Sequence, residues 1–141
     1  MTQAQQELIA AVAARFGPKA VVTDAQAIAP WLDDWRGRYR GTAAAILQPD
    51  SVEAVAAIVG LAGQHGVALV PQGGNTSMVG GATPPADGSA LILSLRRMNQ
   101  VRRIDPAANL IVAEAGVILA DLHAAAAAQG RRFPLTLGAK G

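Results

Sequence analysis

One segment, residues 71–85, constrains the fold more than any other because no regular secondary structure can run through it. Its sequence is PQGGNTSMVGGATPP, with four glycines and three prolines. Proline lacks a backbone donor and glycine loses the most conformational entropy on folding, so both disfavour helices and central strands. The apolar run directly before it, Val67 to Val70, is typical of a strand that is buried on both faces. The sequence therefore predicts a long loop that leaves the end of an inner strand.

The part of the chain before this loop predicts a strand–helix–strand unit. Apolar residues recur at three- and four-residue spacing over residues 3–16 and again over residues 52–64, which indicates two helices. Residues 43–47 are typical of a buried strand. Short connections join this strand to the second helix and then to the strand at residues 67–70. We therefore expect a right-handed parallel βαβ unit.

The part of the chain after the loop predicts mainly antiparallel pairing. Three strands and then a helix are expected over residues 90–95, 100–104, 110–113 and 119–129. A turn at residues 106–109 joins two of these strands into a hairpin. The predicted fold class is α+β, with a small parallel βαβ subdomain over residues 1–83 packed on the start of an antiparallel-sheet subdomain over residues 84–141.

Composition excludes several classes of protein. Hydrophobic residues make up 51% of the chain and charged residues 16%, which excludes a disordered chain. No apolar run approaches the roughly 20 residues of a membrane span. A net charge of +2 and an aromatic content of 4% argue against a nucleic-acid partner. Without an export signal, and with no cysteine, we expect a cytoplasmic protein without disulfides.

The chemistry of the glycine-rich loop favours an anion site. Gly73 and Gly74 carry no Cβ, so the backbone can turn sharply and approach a ligand closely. Successive amide N–H groups in such a turn can converge on an anion. Residues 75–77, Asn-Thr-Ser, add an amide and two hydroxyls, and no lysine or arginine lies between residues 40 and 96. The loop is thus expected to bind phosphate through dipoles and hydroxyls.

Two known phosphate motifs do not fit this loop. A Walker loop needs Gly, four further residues, Gly, Lys and then Ser or Thr, and no stretch of the chain matches it. A dinucleotide fingerprint needs Gly-x-Gly-x-x-Gly at the start of a helix, whereas Gly73 and Gly74 are adjacent. A purely structural turn is the alternative. The polar triplet, the second glycine pair and the position at a strand end favour the anion site.

Several stretches resemble one family of flavoproteins. They are LQPDSVEAVAAIV, PQGGNTSMVGG, DDWRGRYRG, ILSLRRMNQV and FPLTLGAKG. Together they resemble the FAD-binding domain of the vanillyl-alcohol oxidase and p-cresol methylhydroxylase type. The chain is most similar to the FAD-linked dehydrogenases of D-2-hydroxy acids, such as those acting on 2-hydroxyglutarate, lactate or glycolate. The resemblance covers nearly the whole chain and is most specific over residues 71–81.

This resemblance implies FAD as the cofactor and assigns candidate binding residues. The loop backbone would hold the FAD pyrophosphate, and a second, weaker segment would contact FAD near the end of the chain. The candidates are Pro71, Gln72, Gly73, Gly74, Asn75, Thr76, Ser77, Met78, Gly80 and Gly81 in the loop, and Pro134, Gly138, Ala139 and Gly141 in the second segment. Relatives that attach FAD covalently through this loop have histidine after the two glycines. Asn75 stands there in this chain, so noncovalent FAD is expected.

The resemblance also implies what this chain lacks. Members of the family are several times longer than 141 residues, and the apolar, glycine-rich end of the chain suggests a piece of a longer protein. The family's residues that handle the 2-hydroxy acid, and its metal where one is used, lie beyond Gly141. The implied partners are a 2-hydroxy-acid substrate and an electron acceptor such as electron-transfer flavoprotein or a quinone.

No catalytic or metal-binding residue is predicted within the chain itself. His65 and His123 have no carboxylate or second histidine at metal-ligand spacing, and Ser77 has no evident base. Asp33 and Asp34 lie close to three arginines, so loop electrostatics is expected, with contact to an anionic substrate as the alternative. Three interpretations stay open: the FAD-binding portion of a dehydrogenase, a non-catalytic nucleotide- or phosphate-binding module, and an inert fragment.

Overall fold

The computed structural model describes residues 1–138, and the chain divides into two compact units. The first unit is Met1–Arg97 and the second begins at Met98. The helices are α1 (Gln3–Phe16), α2 (Ala25–Ile28), α3 (Val52–His65) and α4 (Leu119–Ala127). The strands are β1 (Val21–Val22), β2 (Ile46–Leu47), β3 (Ala68–Gln72), β4 (Ala90–Ser94), β5 (Val101–Asp105) and β6 (Leu110–Ala113). None of the helices described is long and apolar enough to cross a membrane.

Local sequence signals set the ends of the two long helices. Thr2 and Gln5 form a reciprocal capping box at the start of α1. The hydroxyl of Ser51 accepts a hydrogen bond from the Ala54 N–H at 3.1 Å and caps α3. Gly66, with φ +63°, ends α3 in the left-handed conformation that glycine adopts at little cost. Both helices predicted for this unit are therefore confirmed.

The sheet of the first unit has the strand order β1-β2-β4-β3. Strands β2 and β3 each pair with β4 in parallel, and β1 pairs antiparallel with β2. The predicted parallel strand–helix–strand unit is present, but β4 lies between its two strands. All five residues of β4 are buried, as expected of a central strand.

The position of β4 also changes the organisation expected from the sequence, which placed a subdomain boundary after residue 83. Residues 90–94 complete the parallel sheet, and the first unit accordingly extends to Arg97. The sequence of β4, ALILS, has no feature that distinguishes an inner parallel strand of the first sheet from the first strand of a second sheet. Tertiary contacts decide which strands pair, and the residues of a single strand do not predict its partners.

The sheet has a separate apolar cluster on each face. On one face, α1 and α3 cover the strands, with Leu8, Ile58 and Leu91 fully buried. On the other face, Ile92 packs with Ile28 and with the partly buried Trp31. Leu91 and Ile92 point to opposite faces because side chains alternate along a strand. This second cluster fixes the segment around Trp31 against the sheet.

The second unit contains the predicted hairpin. Strands β5 and β6 pair antiparallel, with a register shift between Val101 and Arg103. The connecting turn includes Asn109, whose φ of +50° is tolerated better by asparagine than by most residues. The Arg102 guanidinium binds the Glu114 carboxylate at 2.7 Å, and α4 packs against β5. The hairpin and the helix predicted after the glycine-rich loop are confirmed.

Candidate functional site

The first half of the glycine-rich loop, residues 73–78, presents free backbone donors. It begins where β3 ends and lies outside every helix and strand. Within residues 1–138, no N–H group from Gly73 to Met78 donates a hydrogen bond to a protein acceptor. Backbone N–H groups are seldom left without a partner unless water or a ligand supplies one. Six adjacent residues with free donors therefore suit an anionic ligand.

The described structure contains no conformational or packing requirement for glycine at residues 73 and 74. Neither has φ in the left-handed region. Apart from its chain neighbours, Gly73 has no described heavy atom within 4 Å of where a Cβ would stand, and Gly74 has only the Thr76 methyl at 3.8 Å. Neither backbone conformation nor internal crowding in the described structure requires glycine here. The described structure leaves open space beside the backbone at both positions, which fits a site that a ligand approaches closely.

N–H groups in the second half of the loop, residues 79–83, form hydrogen bonds within the loop. The Ser77 hydroxyl accepts hydrogen bonds from the Gly81 N–H at 3.2 Å and the Val79 N–H at 3.4 Å. The Thr83 N–H donates to the Gly80 carbonyl at 3.0 Å. Ser77 was predicted as a hydroxyl donor to the ligand, and its oxygen is here an acceptor within the loop. Its hydroxyl hydrogen can still be donated.

Gly80 is required by the packing of the loop. Its φ is +73°, and a Cβ there would lie 3.0 Å from the Tyr39 ring. The side chain of Tyr39 thus lies directly against the backbone of the loop. Of the remaining predicted loop residues, Pro71, Thr76, Met78 and Gly81 are exposed.

Gln72 differs from the other predicted binding residues because its side chain points into the protein. It is 2% exposed. Its Nε2 donates to the Ala82 carbonyl at 2.8 Å and to the Trp31 carbonyl at 3.0 Å. The side chain therefore binds the backbone of the loop at Ala82 and the backbone of another segment at Trp31. Gln72 can serve a ligand only through its main chain or by shaping the loop.

Asn75 also binds the protein through its side chain. Its φ of +55° lies in the left-handed region, where asparagine is tolerated. Its Nδ2 donates to the Asp33 carbonyl at 2.8 Å. This contact fixes the first half of the loop to the segment that precedes Asp34. Of the polar residues 75–77, Asn75 thus uses its side chain to hold the loop in place.

The charged segment of residues 33–40 forms a wall of the site, which the sequence did not predict. Asp34 is buried, and its carboxylate accepts the Tyr39 N–H at 2.6 Å and the Arg36 N–H at 3.3 Å. The hydrogen bond from the Tyr39 N–H, together with the weaker one from Arg36, lowers the pKa of Asp34 below its usual range. Asp33, by contrast, lies 3.4 Å from the exposed Arg40 guanidinium. The sequence favoured loop electrostatics for this segment, and contact with an anionic substrate was the alternative.

The second predicted binding segment lies in the other unit. Pro134 and Gly138 are exposed. Ala139 and Gly141 lie outside the described residues. Phe133 and Leu137 line a cavity of about 550 Å³ with residues of α4, and the His123 ring nitrogen is 2.8 Å from the Leu135 carbonyl oxygen. The role of this segment stays a prediction. In the described part of the chain, no group of three acidic or histidine side chains could hold a metal ion.

The chain matches a known protein family and is similar to several curated proteins. A family model described as an FAD binding domain matches residues 43–141. D-2-hydroxyglutarate dehydrogenase of Bos taurus is 39% identical over 127 residues, which is 90% of this chain and 23% of that protein. A protein of Schizosaccharomyces pombe named as a D-lactate dehydrogenase is 41% identical over 108 residues, 77% of this chain and 20% of that one. The chain thus spans about a fifth to a quarter of the length of these relatives.

A solved structure shows the same fold. The structure of p-cresol methylhydroxylase with bound substrate superimposes with a TM-score of 0.80 at 20% identity, over 92% of this chain and 26% of that one. The fold class predicted from the sequence is confirmed.

The relatives correct one prediction. Both are named as mitochondrial proteins, which contradicts the predicted cytoplasmic location. That prediction rested on the lack of an export signal, which does not distinguish cytoplasm from mitochondrion. The family match covers well over half of the residues and includes the whole glycine-rich loop, and the chain belongs to the family of FAD binding domains.

Proposed function

We propose that residues 73–77 bind the pyrophosphate of FAD through their backbone N–H groups. One observation carries this proposal: the backbone donors without a protein acceptor lie on the same half-loop as two glycines whose Cβ positions are in open space. In this proposal Pro71 and Gln72 set the approach of the chain, while Met78, Gly80 and Gly81 complete the loop. Pro134, Gly138, Ala139 and Gly141 would contact FAD from the second segment.

The chemistry belongs to a longer protein of which this chain would be the cofactor-binding portion. We infer that this protein oxidises a D-2-hydroxy acid, such as 2-hydroxyglutarate, lactate or glycolate, to the 2-oxo acid. FAD, when bound, supplies the hydride acceptor at its N5 atom. The residues of this chain bind and orient the cofactor and take no part in proton transfer. The names of the relatives support the substrate class, and electron-transfer flavoprotein or a quinone is the proposed final acceptor.

Noncovalent binding is part of this proposal. Asn75 follows the two glycines, and its amide nitrogen already donates to the Asp33 carbonyl at 2.8 Å. An amide nitrogen is a poor nucleophile because its lone pair is delocalised into the carbonyl group. If the proposal is right, precipitating the FAD-loaded chain with acid releases all of the flavin into the supernatant. Flavin that stays with the precipitated protein would contradict it.

Titration of the purified chain with three ligands tests the pyrophosphate site. FAD and ADP both carry a diphosphate, whereas riboflavin carries the flavin ring and its ribityl chain without any phosphate. We expect FAD and ADP to bind, with inorganic pyrophosphate competing against both, and riboflavin to bind much more weakly. Tight binding of riboflavin that pyrophosphate does not displace would contradict the assignment. Binding of ADP without FAD would support a nucleotide-binding module instead.

A further inference from the structure

The side chain of Gln72 has a role that the proposed function does not use. Its amide group carries two hydrogens, and the two short bonds from Nε2 go to the carbonyls of Ala82 and Trp31. A third acceptor, the Asn75 Oδ1, lies farther away at 3.4 Å. All three acceptors belong to the protein, so the side chain is committed to holding backbone in place.

These contacts join three parts of the site. Gln72 lies at the start of the glycine-rich loop and Ala82 near its end, so the bond between them ties the two ends of the loop together. Trp31 belongs to the segment that packs on the sheet with Ile92. The main chain of Gln72 is itself fixed, because its carbonyl accepts the Leu95 N–H at 3.1 Å and it pairs in register with Ser94. The loop therefore closes on a rigid strand end.

We propose that Gln72 is a positioning residue whose side-chain amide holds the glycine-rich loop in its ligand-binding conformation. This inference rests on the proposed function of residues 73–77. Free backbone donors bind an anion well only if they are already arranged, because ordering them on binding weakens the affinity. We name the pair of bonds from Nε2 to Ala82 and Trp31 the Gln72 bridge. Through it, a side chain that faces away from the ligand controls how strongly the ligand binds.

A simpler role for Gln72 would be to fill space beneath the loop. The two roles separate by substitution. Gln72→Met keeps a side chain of similar length and removes both donors. Gln72→Glu keeps the shape, and its carboxylate faces the same carbonyl oxygens with no hydrogen to donate. When that carboxyl group is protonated it regains one donor, and burial among carbonyls raises the pKa of such a group above its usual value.

The first measurement is FAD affinity of the full 141-residue chain as a function of pH. At pH 7 we expect both variants to bind FAD about tenfold more weakly, as they would if the competent loop conformation fell to about a tenth of the molecules. Between pH 7 and pH 5, Gln72→Glu should recover affinity, whereas Gln72→Met should not. The wild-type chain has the same neighbours, including Asp33, Asp34 and Arg40, and its own pH profile is the reference. Equal affinity of all three proteins would overturn the proposal.

The matched control is Gln64→Glu, the same chemical change on the exposed side of α3. It should leave FAD affinity and its pH profile unchanged. A loss of affinity in this variant as large as that in Gln72→Glu would attribute the effect to added negative charge and would overturn the proposal.

The second measurement needs no ligand. The N–H groups of Gly81 and Thr83 are bonded inside the loop, so their hydrogen exchange reports whether the loop stays closed. Exchange at both should accelerate in Gln72→Met, while amides of α1 stay as slow as in the wild-type chain. Unchanged exchange would overturn the Gln72 bridge whatever the affinity of the chain for FAD. A wild-type chain that exchanges as expected but does not bind FAD would instead contradict the proposed function.

Discussion

The two glycine pairs of the loop have the same sequence and different physical roles. At Gly73 and Gly74 a side chain would enter open space, φ is ordinary, and the amides have no acceptor in the described structure. Gly80 has φ +73° and lies against Tyr39, and the Gly81 N–H donates to the Ser77 hydroxyl. The first pair has no structural requirement for glycine in the described residues, and we propose that it leaves room for a ligand. In the second pair, the backbone conformation and packing require glycine at residue 80 but not at residue 81.

This difference gives a way to recognise a glycine that serves a ligand. A glycine needed by the fold shows its reason in the structure, either as a left-handed φ or as a neighbour that a Cβ would strike. A glycine with neither reason, in a loop whose amides are free, is a candidate for close approach by a ligand. The comparison predicts opposite patterns of damage for substitutions in the two pairs.

The largest effect is expected for Gly74→Val. The valine side chain would occupy open space beside the backbone of the free amides, and we expect it to keep the diphosphate from approaching them. FAD affinity should fall by at least about a hundredfold, equivalent to roughly 2.8 kcal/mol of binding free energy. The melting temperature should stay close to that of the wild-type chain because a Cβ meets only the Thr76 methyl, at 3.8 Å. Calorimetric titration with FAD and thermal denaturation check the two expectations.

The control for this substitution is Gly63→Val, which also places valine in open space, on the exposed side of α3. It should bind FAD as the wild-type chain does. If Gly74→Val keeps its affinity, the assignment of the first pair to the ligand is wrong.

The next effect is expected for Gly80→Ala, with the pattern reversed. A left-handed φ costs an alanine roughly 1–2 kcal/mol, and the Tyr39 ring must move to admit the new methyl group. Folding stability should fall by about that amount, and FAD affinity should fall less than in Gly74→Val. Chemical denaturation followed by tryptophan fluorescence measures the stability.

A double-mutant cycle with Tyr39→Ala separates the two causes. Removing the ring relieves the close contact and leaves the φ strain, so the double variant should recover only part of the lost stability. Full recovery would show that the strain contributes nothing, and no recovery would show that the ring does not crowd this position.

The order of elements was predictable from the sequence because it depends on local signals. The ends of the two long helices are set by residues at those ends. Thr2 and Gln5 form the capping box of α1, while Ser51 begins α3 and Gly66 ends it. The same holds for most of the loop, since glycines and prolines disfavour helix and strand, although β3 extends through Pro71 and Gln72. The prediction of an inner strand before the loop was wrong, because β3 is the edge strand of the sheet. The insertion of β4 between β2 and β3 depends on which strands meet, and no local pattern encodes that choice.

The site was predictable only where the ligand would touch backbone. The adjacent glycines indicate that a ligand approaches the backbone closely, and the resemblance to flavoproteins implies that this ligand is FAD. The long-range contacts of Gln72 and Tyr39 were not predictable, because Gln72 reaches a carbonyl 41 positions earlier in the chain and Tyr39 reaches Gly80. The sequence around Gln72, at the end of a strand, and around Tyr39, in a charged segment, has no pattern that predicts contacts with Trp31 and Gly80.

A smaller effect is expected for substitution of Asp34, whose carboxylate accepts the N–H of Tyr39 in the segment of residues 33–40. The hydrogen bond from the Tyr39 N–H lowers the pKa of its carboxyl group, so the charged form is favoured in the folded chain. A lowered pKa contributes stability that is fully present above the unfolded value, about 3.9, and is lost as the pH falls through the folded value. Asp34→Asn should therefore weaken FAD binding modestly at pH 7 and remove this part of the acid sensitivity. Melting curves between pH 2 and pH 7 test it, and an identical acid profile in the variant would contradict it.

The smallest effect is expected at Ser77, where the two halves of the loop meet. Its hydroxyl oxygen accepts two N–H groups at 3.2 and 3.4 Å, both exposed, so Ser77→Ala should cost about 0.5–1 kcal/mol of loop stability. If the hydroxyl serves only the second half, FAD affinity should fall less than about threefold, well under 1 kcal/mol. A loss of about tenfold or more, restored by Ser77→Thr, would mean that the hydroxyl also donates to the diphosphate. That result would mean that Ser77, which belongs to the first half of the loop, serves both halves, because its oxygen can accept from the second half while its hydrogen is donated to the ligand.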